Sequence, residues 1–251
     1  MRLNSYIAHH CPYSRREADM LIAQGRVRID RQKANIGMQL SGDEKVFLDG
    51  KLIKPYKDKH YTLIIYHKPK GELVSTKDDR GRRIIYDSLE SKFHTFTTVG
   101  RLDFASEGLL VLSDSKRVAS ALMHSDLERE YIVKIDTHIS TQMLEAMENG
   151  LQLQNITQGA HPLSTLKEIS LAPFVNVQII KNTPRFSRLK LTLKEGRNRE
   201  IRRFFGYFKA NVLDLRRIRY GFLHLNALPV GKWRYLNKDE YKKLRAFLNN
   251  Q

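Results

Sequence analysis

A chain of 251 residues, 41% of them apolar, can hold one large domain or two unequal ones, and a formal charge of +17 sets it far from neutrality. One cysteine, Cys11, excludes an intrachain disulfide framework, and no apolar run approaches membrane-spanning length, so a reducing, cytoplasmic setting without membrane is expected. The excess charge lies at one end: residues 1–58 carry 11 Lys/Arg against 7 Asp/Glu, 59–180 carry 14 against 15, and 181–251 carry 19 against 5, which predicts a positive face for a polyanion.

In chain order, Leu3, Tyr6 and Ile7 share one helical face. Ser14-Arg15-Arg16-Glu17 has the form of a capping box, in which a hydroxyl and a carboxylate satisfy free backbone donors at a helix start. Ala18, Leu21 and Ile22 continue an apolar stripe, Gly25 stands where a helix ends, and Val27 and Ile29 alternate with charges as in a half-buried strand. This segment resembles an S4 RNA-binding domain. The resemblance implies that Arg15, Arg16, Arg26 and Arg28 meet an RNA backbone. His9-His10-Cys11 lacks a second ligand pair at metal-site spacing, so no metal is expected.

Residues 54–60 are polar and carry Pro55, which suits a linker between a domain over 1–54 and a larger one over 61–251. Beyond it, Tyr61 to Tyr66 reads as a strand entering a turn at His67-Lys68-Pro69-Lys70-Gly71. Further strands are predicted over 108–112, 131–135, 174–180, 188–193 and 212–218, with helices over 117–123, 141–149 and 200–208. Strands and helices without strict alternation predict an α+β fold. No Gly-rich nucleotide loop occurs, so no cofactor is expected.

Four segments carry the chemistry. Gly100-Arg101-Leu102-Asp103 precedes Gly108-Leu109-Leu110, a lone carboxylate beside a buried run. Glu128-Arg129-Glu130-Tyr131 opens a strand, Glu195-Gly196-Arg197-Asn198-Arg199-Glu200-Ile201-Arg202-Arg203 packs arginines that repel unless an anion joins them, and Leu215-Arg216-Arg217-Ile218-Arg219-Tyr220-Gly221 follows. Together they resemble the RsuA family of ribosomal RNA pseudouridine synthases, with the large-subunit members nearest.

That resemblance implies a catalytic domain on a mixed, mainly antiparallel sheet with flanking helices, working as a monomer on ribosomal RNA without metal or small-molecule cofactor. It implies that Asp103 is the catalytic carboxylate, that Tyr131 stacks on the uracil and helps take the C5 proton, and that Arg202 pairs with Asp103. Arg101 would fill the space a flipped nucleotide vacates. Leu215 would wall the uracil pocket, Arg217 would bind substrate, and Arg197, Arg199 and Arg203 would meet phosphates. The chain departs from the family at Ser113-Asp114-Ser115, which lacks a glycine, and at His124-Ser125, which lacks a proline. A non-catalytic ribosome-binding or assembly factor, or a base-excising hydrolase, would use the same charge; the Asp103, Tyr131 and Arg202 set speaks against the first.

Overall fold

The computed structural model describes residues 1–54, 61–154 and 168–250, so the linker expected at 55–60 lies outside the described residues. The chain divides into two compact units, Met1–Tyr61 and Thr62–Gln251.

In the first unit, α1 (Leu3–His10) and α2 (Arg15–Ala23) pack over strands β1 (Val27–Ile29), β2 (Gln32–Lys33), β3 (Val46–Leu48) and β4 (Lys51–Leu52), ordered β2-β1-β3-β4. The capping box forms: Ser14 Oγ accepts from Glu17 N at 3.2 Å, and Ser14 N donates to Glu17 Oε2 at 2.6 Å. Leu3, Ile7, Ala18, Leu21, Ile22 and Val27 make its core.

The second unit is built on one large sheet. Its strands are β5 (Leu63–Lys68), β6 (Thr97–Thr98), β7 (Glu107–Ser113), β8 (Arg129–Ile135), β11 (Asn176–Asn182), β12 (Ser187–Leu193), β13 (Val212–Tyr220), β14 (Leu223–His224) and β15 (Trp233–Tyr235). The order is β11-β12-β8-β13-β7-β5-β15, with β6 beside β7 and β14 beside β13. The β13–β7 pair is parallel and the others are antiparallel, so the α+β reading and the mixed, mainly antiparallel sheet hold. A separate pair, β9 (Leu151–Gln154) and β10 (Glu168–Leu171), stands apart from it.

Helices α3 (Lys116–Met123), α4 (Thr141–Asn149), α5 (Glu200–Tyr207) and α6 (Lys238–Asn249) flank the sheet. One core gathers Val133, Ile135, Leu189 and Leu191 against Met143, Ile201, Phe204 and Phe205. A second joins Ile64 and Tyr66 to Phe93, Leu110 and Leu112. The odd residues of β8 and β12 therefore face the helices, as strand alternation requires.

Three local expectations change. The strand expected to stop at Tyr66 runs on through His67 and Lys68, because β7 pairs with it as far as Lys68 opposite Gly108. The strand expected at 174–180 is shifted to Asn176–Asn182 and is an edge strand, largely exposed. Arg203, expected to meet phosphate, is 1% exposed on the inner side of α5. The two family departures have local substitutes: Ser115 caps α3 by accepting from Val118 N at 3.1 Å, and His124 closes its end through Nδ1, 2.9 Å from Ser120 O.

Candidate active site

The cleft of the second unit, about 210 Å³, gathers Arg101, Leu102, Asp103 and Ser106 with Arg129, Tyr131, Arg197, Arg199, Leu215, Arg217 and Tyr220. The sheet supplies its floor. Tyr131 on β8 lies directly opposite Arg217 on β13, and Leu215 stands two residues along on the same face. The walls are the loop before β7, which carries Asp103, and the turn before α5, which carries Arg197 and Arg199.

Gly108 fixes how closely that loop approaches the floor. Its φ is +114°, and a Cβ there would lie 2.2 Å from the Arg217 carbonyl oxygen. Only glycine lets β7 and β13 pair in parallel at this point, bringing the Asp103 loop beside Arg217 and Tyr131.

Lys68 holds the loop from beneath. It is 0% exposed, and its Nζ donates to the carbonyl oxygens of Pro69 (2.8 Å), Asp103 (3.2 Å) and Ser106 (2.9 Å). Burial pulls its pKa from 10.5 down to about 8, with Glu72, Asp103 and Glu107 drawing it partly back. The amine thus sets the backbone at Asp103 and at Ser106 three residues on, and positions the carboxylate without touching it. Its signal in sequence is faint, since a lysine beside Pro69 reads as a solvated turn.

Two guanidiniums meet Asp103 through one oxygen. Arg199 Nη1 is 3.5 Å from Oδ2 and Arg202 Nε is 3.7 Å from it. Oδ1 has no partner among the described residues. Arg202 is anchored elsewhere as well, donating to Val212 O at 3.1 Å, Ala105 O at 3.2 Å and Ser106 Oγ at 3.3 Å. Burial lowers the pKa of its guanidinium, and the Asp103 charge opposes that shift. Arg199 reaches Asp103 because it precedes α5 with φ +53°, a left-handed conformation uncommon outside glycine.

The remaining expected residues divide by their partners. Arg101 is exposed at the cleft and has no bond to any described residue. The Tyr131 hydroxyl also has no hydrogen-bond partner among the described residues, and the residue lines the cleft. Arg217 is 3% exposed, donates from Nε to Leu109 O at 2.7 Å, and leaves Nη2 without a hydrogen-bond partner among the described residues. Arg197 is held by Glu195 and the Ser170 carbonyl. Sequence reading gave Arg129 no role. It is buried, donates to Tyr220 Oη at 3.1 Å and to Lys194 O, and lies 5.0 Å from the Tyr220 ring centroid.

In the first unit, Arg26 is bound in a fork to Asp49 at 2.8 and 2.6 Å, which draws the Asp49 carboxyl below its usual range. Arg28 donates to Arg31 O at 2.8 Å and Arg15 to Ser5 Oγ at 3.0 Å. Arg16 is exposed without a bond to a described residue. No group of three or more His, Cys, Asp or Glu with metal-site geometry occurs among the described residues, and no described helix is long and apolar enough to cross a membrane.

A family model described as RNA pseudouridylate synthase matches residues 62–207, and an S4 domain model matches residues 1–46. An uncharacterized RNA pseudouridine synthase of Helicobacter pylori (strain ATCC 700392 / 26695) is 53% identical over 250 residues, spanning 100% of this chain and 95% of that protein. The ribosomal large subunit pseudouridine synthase B of Bacillus subtilis (strain 168) is 30% identical over 252 residues, spanning 99% and 97%. A dual-specificity RNA pseudouridine synthase of Escherichia coli (strain K12) is 34% identical over 253 residues, spanning 100% and 80%. A crystal structure of pseudouridylate synthase, 22% identical, shares the fold with a TM-score of 0.66 over 97% of this chain and 99% of that one.

Proposed function

The chain belongs to the RNA pseudouridylate synthase family, and from that premise we propose that it isomerises one uridine of ribosomal RNA, in the large subunit, with Asp103 as the catalytic group. The single observation carrying this reading is the asymmetry of the Asp103 carboxylate. One oxygen is held by Arg199 and Arg202, while the other has no partner among the described residues and faces a cleft that Tyr131 also lines. Two cations beside one oxygen aim the carboxylate, and the other oxygen faces the cleft, able to react.

The reaction breaks the bond between ribose C1′ and uracil N1, turns the base, joins C1′ to C5, releases the C5 proton and places a proton on N1, so composition is kept and no redox partner enters. Asp103 serves it on either route: its free oxygen attacks C1′, or it takes a proton from the ribose on the way to a glycal. Tyr131 stacks on the uracil and its hydroxyl assists removal of the C5 proton. Leu215 excludes water beside the ring, and Arg217 Nη2 offers the base or its phosphate a donor. A uridine must leave its stack to reach Asp103, at a cost of a few kcal/mol, and the exposed Arg101 fills the gap it leaves.

The target class rests on the chain's full-length similarity to a ribosomal large-subunit synthase. The positive charge suits a large structured RNA met as a monomer in the cytoplasm. The first unit adds RNA affinity through Arg15, Arg16 and Arg28, with Arg26 oriented by Asp49.

The test uses 23S ribosomal RNA transcribed with uridine tritiated at C5. The wild-type protein releases tritium and yields a mass-neutral product. Asp103→Asn, which keeps size but loses charge, releases none while its RNA affinity stays within about tenfold, or ~1.4 kcal/mol. Turnover by Asp103→Asn at the wild-type rate would remove Asp103 from this role.

A further inference from the structure

The large sheet has a second charged surface, on the side away from the cleft. Tyr131, Arg217 and the core leucines of β12 occupy one face, so the alternating residues of the same strands point to the other. There Lys181 on β11, Arg188 on β12 and Lys134 on β8 stand directly opposite one another across three adjacent strands. Phe186, two residues before Arg188, lies under both lysines, with Lys134 Nζ 4.8 Å and Lys181 Nζ 5.1 Å from its ring centroid. Arg185, in the turn joining β11 to β12, is exposed beside them.

None of these four cations has a carboxylate partner among the described residues. The nearby acids are engaged elsewhere: Asp214, opposite Lys134, pairs with Lys70 at 2.8 Å, Asp136, two residues after Lys134, accepts from Asn211 N at 2.8 Å and Nδ2 at 2.7 Å, and Glu130 pairs with Lys190 at 3.1 Å. Like charges placed directly opposite one another weaken a sheet. An edge-strand lysine discourages unwanted strand pairing, which accounts for Lys181. It does not account for Arg188 or Lys134, which sit on interior strands.

We propose that this row is a second RNA-binding surface, holding phosphates of a ribosomal RNA segment distant from the target uridine. Phosphates spaced along a backbone relieve the repulsion among cations spaced strand by strand, and Phe186 keeps the two lysines extended toward them. Because the sheet separates this row from Asp103, the nucleotide in the cleft cannot itself reach it. The surface therefore adds affinity for long structured RNA and nothing for a minimal stem-loop.

This rests on the ribosomal RNA reading above, and the experiment separates the two. The affinity of the full chain is measured against salt for the whole 23S transcript and for the shortest fragment the wild-type protein still isomerises. In the Lys181→Gln/Arg188→Gln variant, the slope of log affinity against log salt should flatten by about 1.5 on the long RNA, from two lost contacts, and stay unchanged on the fragment. Lys181→Arg/Arg188→Lys, which retains both charges, should restore the wild-type slope, and thermal melting should show every variant folded. Equal slopes for variant and wild type on the long RNA would overturn the proposal, as would an equal loss on both RNAs. Absence of tritium release by the wild-type protein from any ribosomal RNA would instead sink the synthase reading of the cleft.

Discussion

The cleft and the N-terminal unit both carry arginines, yet they use them in opposite ways. Around Asp103, Arg202, Arg217 and Lys68 are withdrawn from water and tied to named carbonyl oxygens. In the first unit, Arg16 is exposed without a bond to a described residue, and the Arg26–Asp49 pair is roughly half exposed, with side chains at 44% and 46%. A buried charge whose partner is removed is left in a medium that cannot solvate it, whereas an exposed charge falls back on water and salt. Single substitutions should therefore break the cleft but only weaken the N-terminal unit, and the expected effects follow that order.

The largest falls on the carboxylate's two partners, and they should differ. Arg202→Met leaves Asp103 without its buried cation and opens three hydrogen bonds, so turnover should fall by at least a thousandfold, about 4 kcal/mol. Arg199→Asn keeps the left-handed backbone, which asparagine tolerates, and removes only the more exposed guanidinium. Its turnover should fall by about tenfold to a hundredfold. Single-turnover rates at saturating RNA decide between them, and equal losses would mean that the two arginines act as one unit.

Gly108→Ala attacks the same site through the backbone. A Cβ at 2.2 Å from the Arg217 carbonyl, on a residue with φ +114°, should destabilise the second unit by about 3–5 kcal/mol. A calorimetric melting temperature lower by roughly 10 °C is expected. A melting temperature within a degree of wild type would show that β7 and β13 separate without penalty.

Lys68 gives the cleft a pH dependence. Folded, it gives up its proton near pH 8, while in the unfolded chain it holds the proton to about 10.5. Between those values the unfolded chain binds more protons, so this group makes folding stability rise with pH and withdraws that contribution as pH falls through 8. Activity should move the other way. Above pH 8 the neutral amine has two hydrogens for three carbonyl oxygens, and the Asp103 loop loses a hold. We expect kcat/KM to fall by severalfold along one ionisation near pH 8 with no matching drop in melting temperature. In Lys68→Arg that limb should vanish. A flat profile from pH 7 to 9 would show the clamp to be indifferent to the proton.

These contrasts mark where the sequence was legible. The Ser14 capping box, the α5 stripe and the strand through Tyr131 are written in local spacing, and they form as that spacing requires. The placement of Asp103 beside Arg202 was implied by motif resemblance, and the two lie 3.7 Å apart. The chain hides what depends on a neighbour distant in sequence. Lys68 looks like part of a solvated turn until β7 extends its strand and three carbonyl oxygens close over the amine. Arg199 looks like one more phosphate contact, because no periodicity reveals a positive φ. Gly108 reads as the start of a strand, and its necessity is visible only once Arg217 stands against it.

The smallest effect expected on chemistry comes from removing the N-terminal unit. Residues 1–54 close their own core around Leu3, Ile7, Leu21 and Ile22, and every residue assigned to the cleft, Lys68 included, lies in the second unit. Deleting them takes away exposed cations that act through summed, salt-screened attraction, and leaves the bonds around Asp103 intact. The truncated protein should keep its single-turnover rate within about threefold at saturating RNA. Its affinity should fall at low salt and converge on that of the full chain as salt rises, because the lost contacts are those that salt screens. A deficit that persists unchanged at high salt would show that the unit binds through bases or apolar contacts instead. Loss of turnover at saturation, in a truncated protein that melts cooperatively, would show that the N-terminal unit helps build the cleft and would erase the contrast between the two regions.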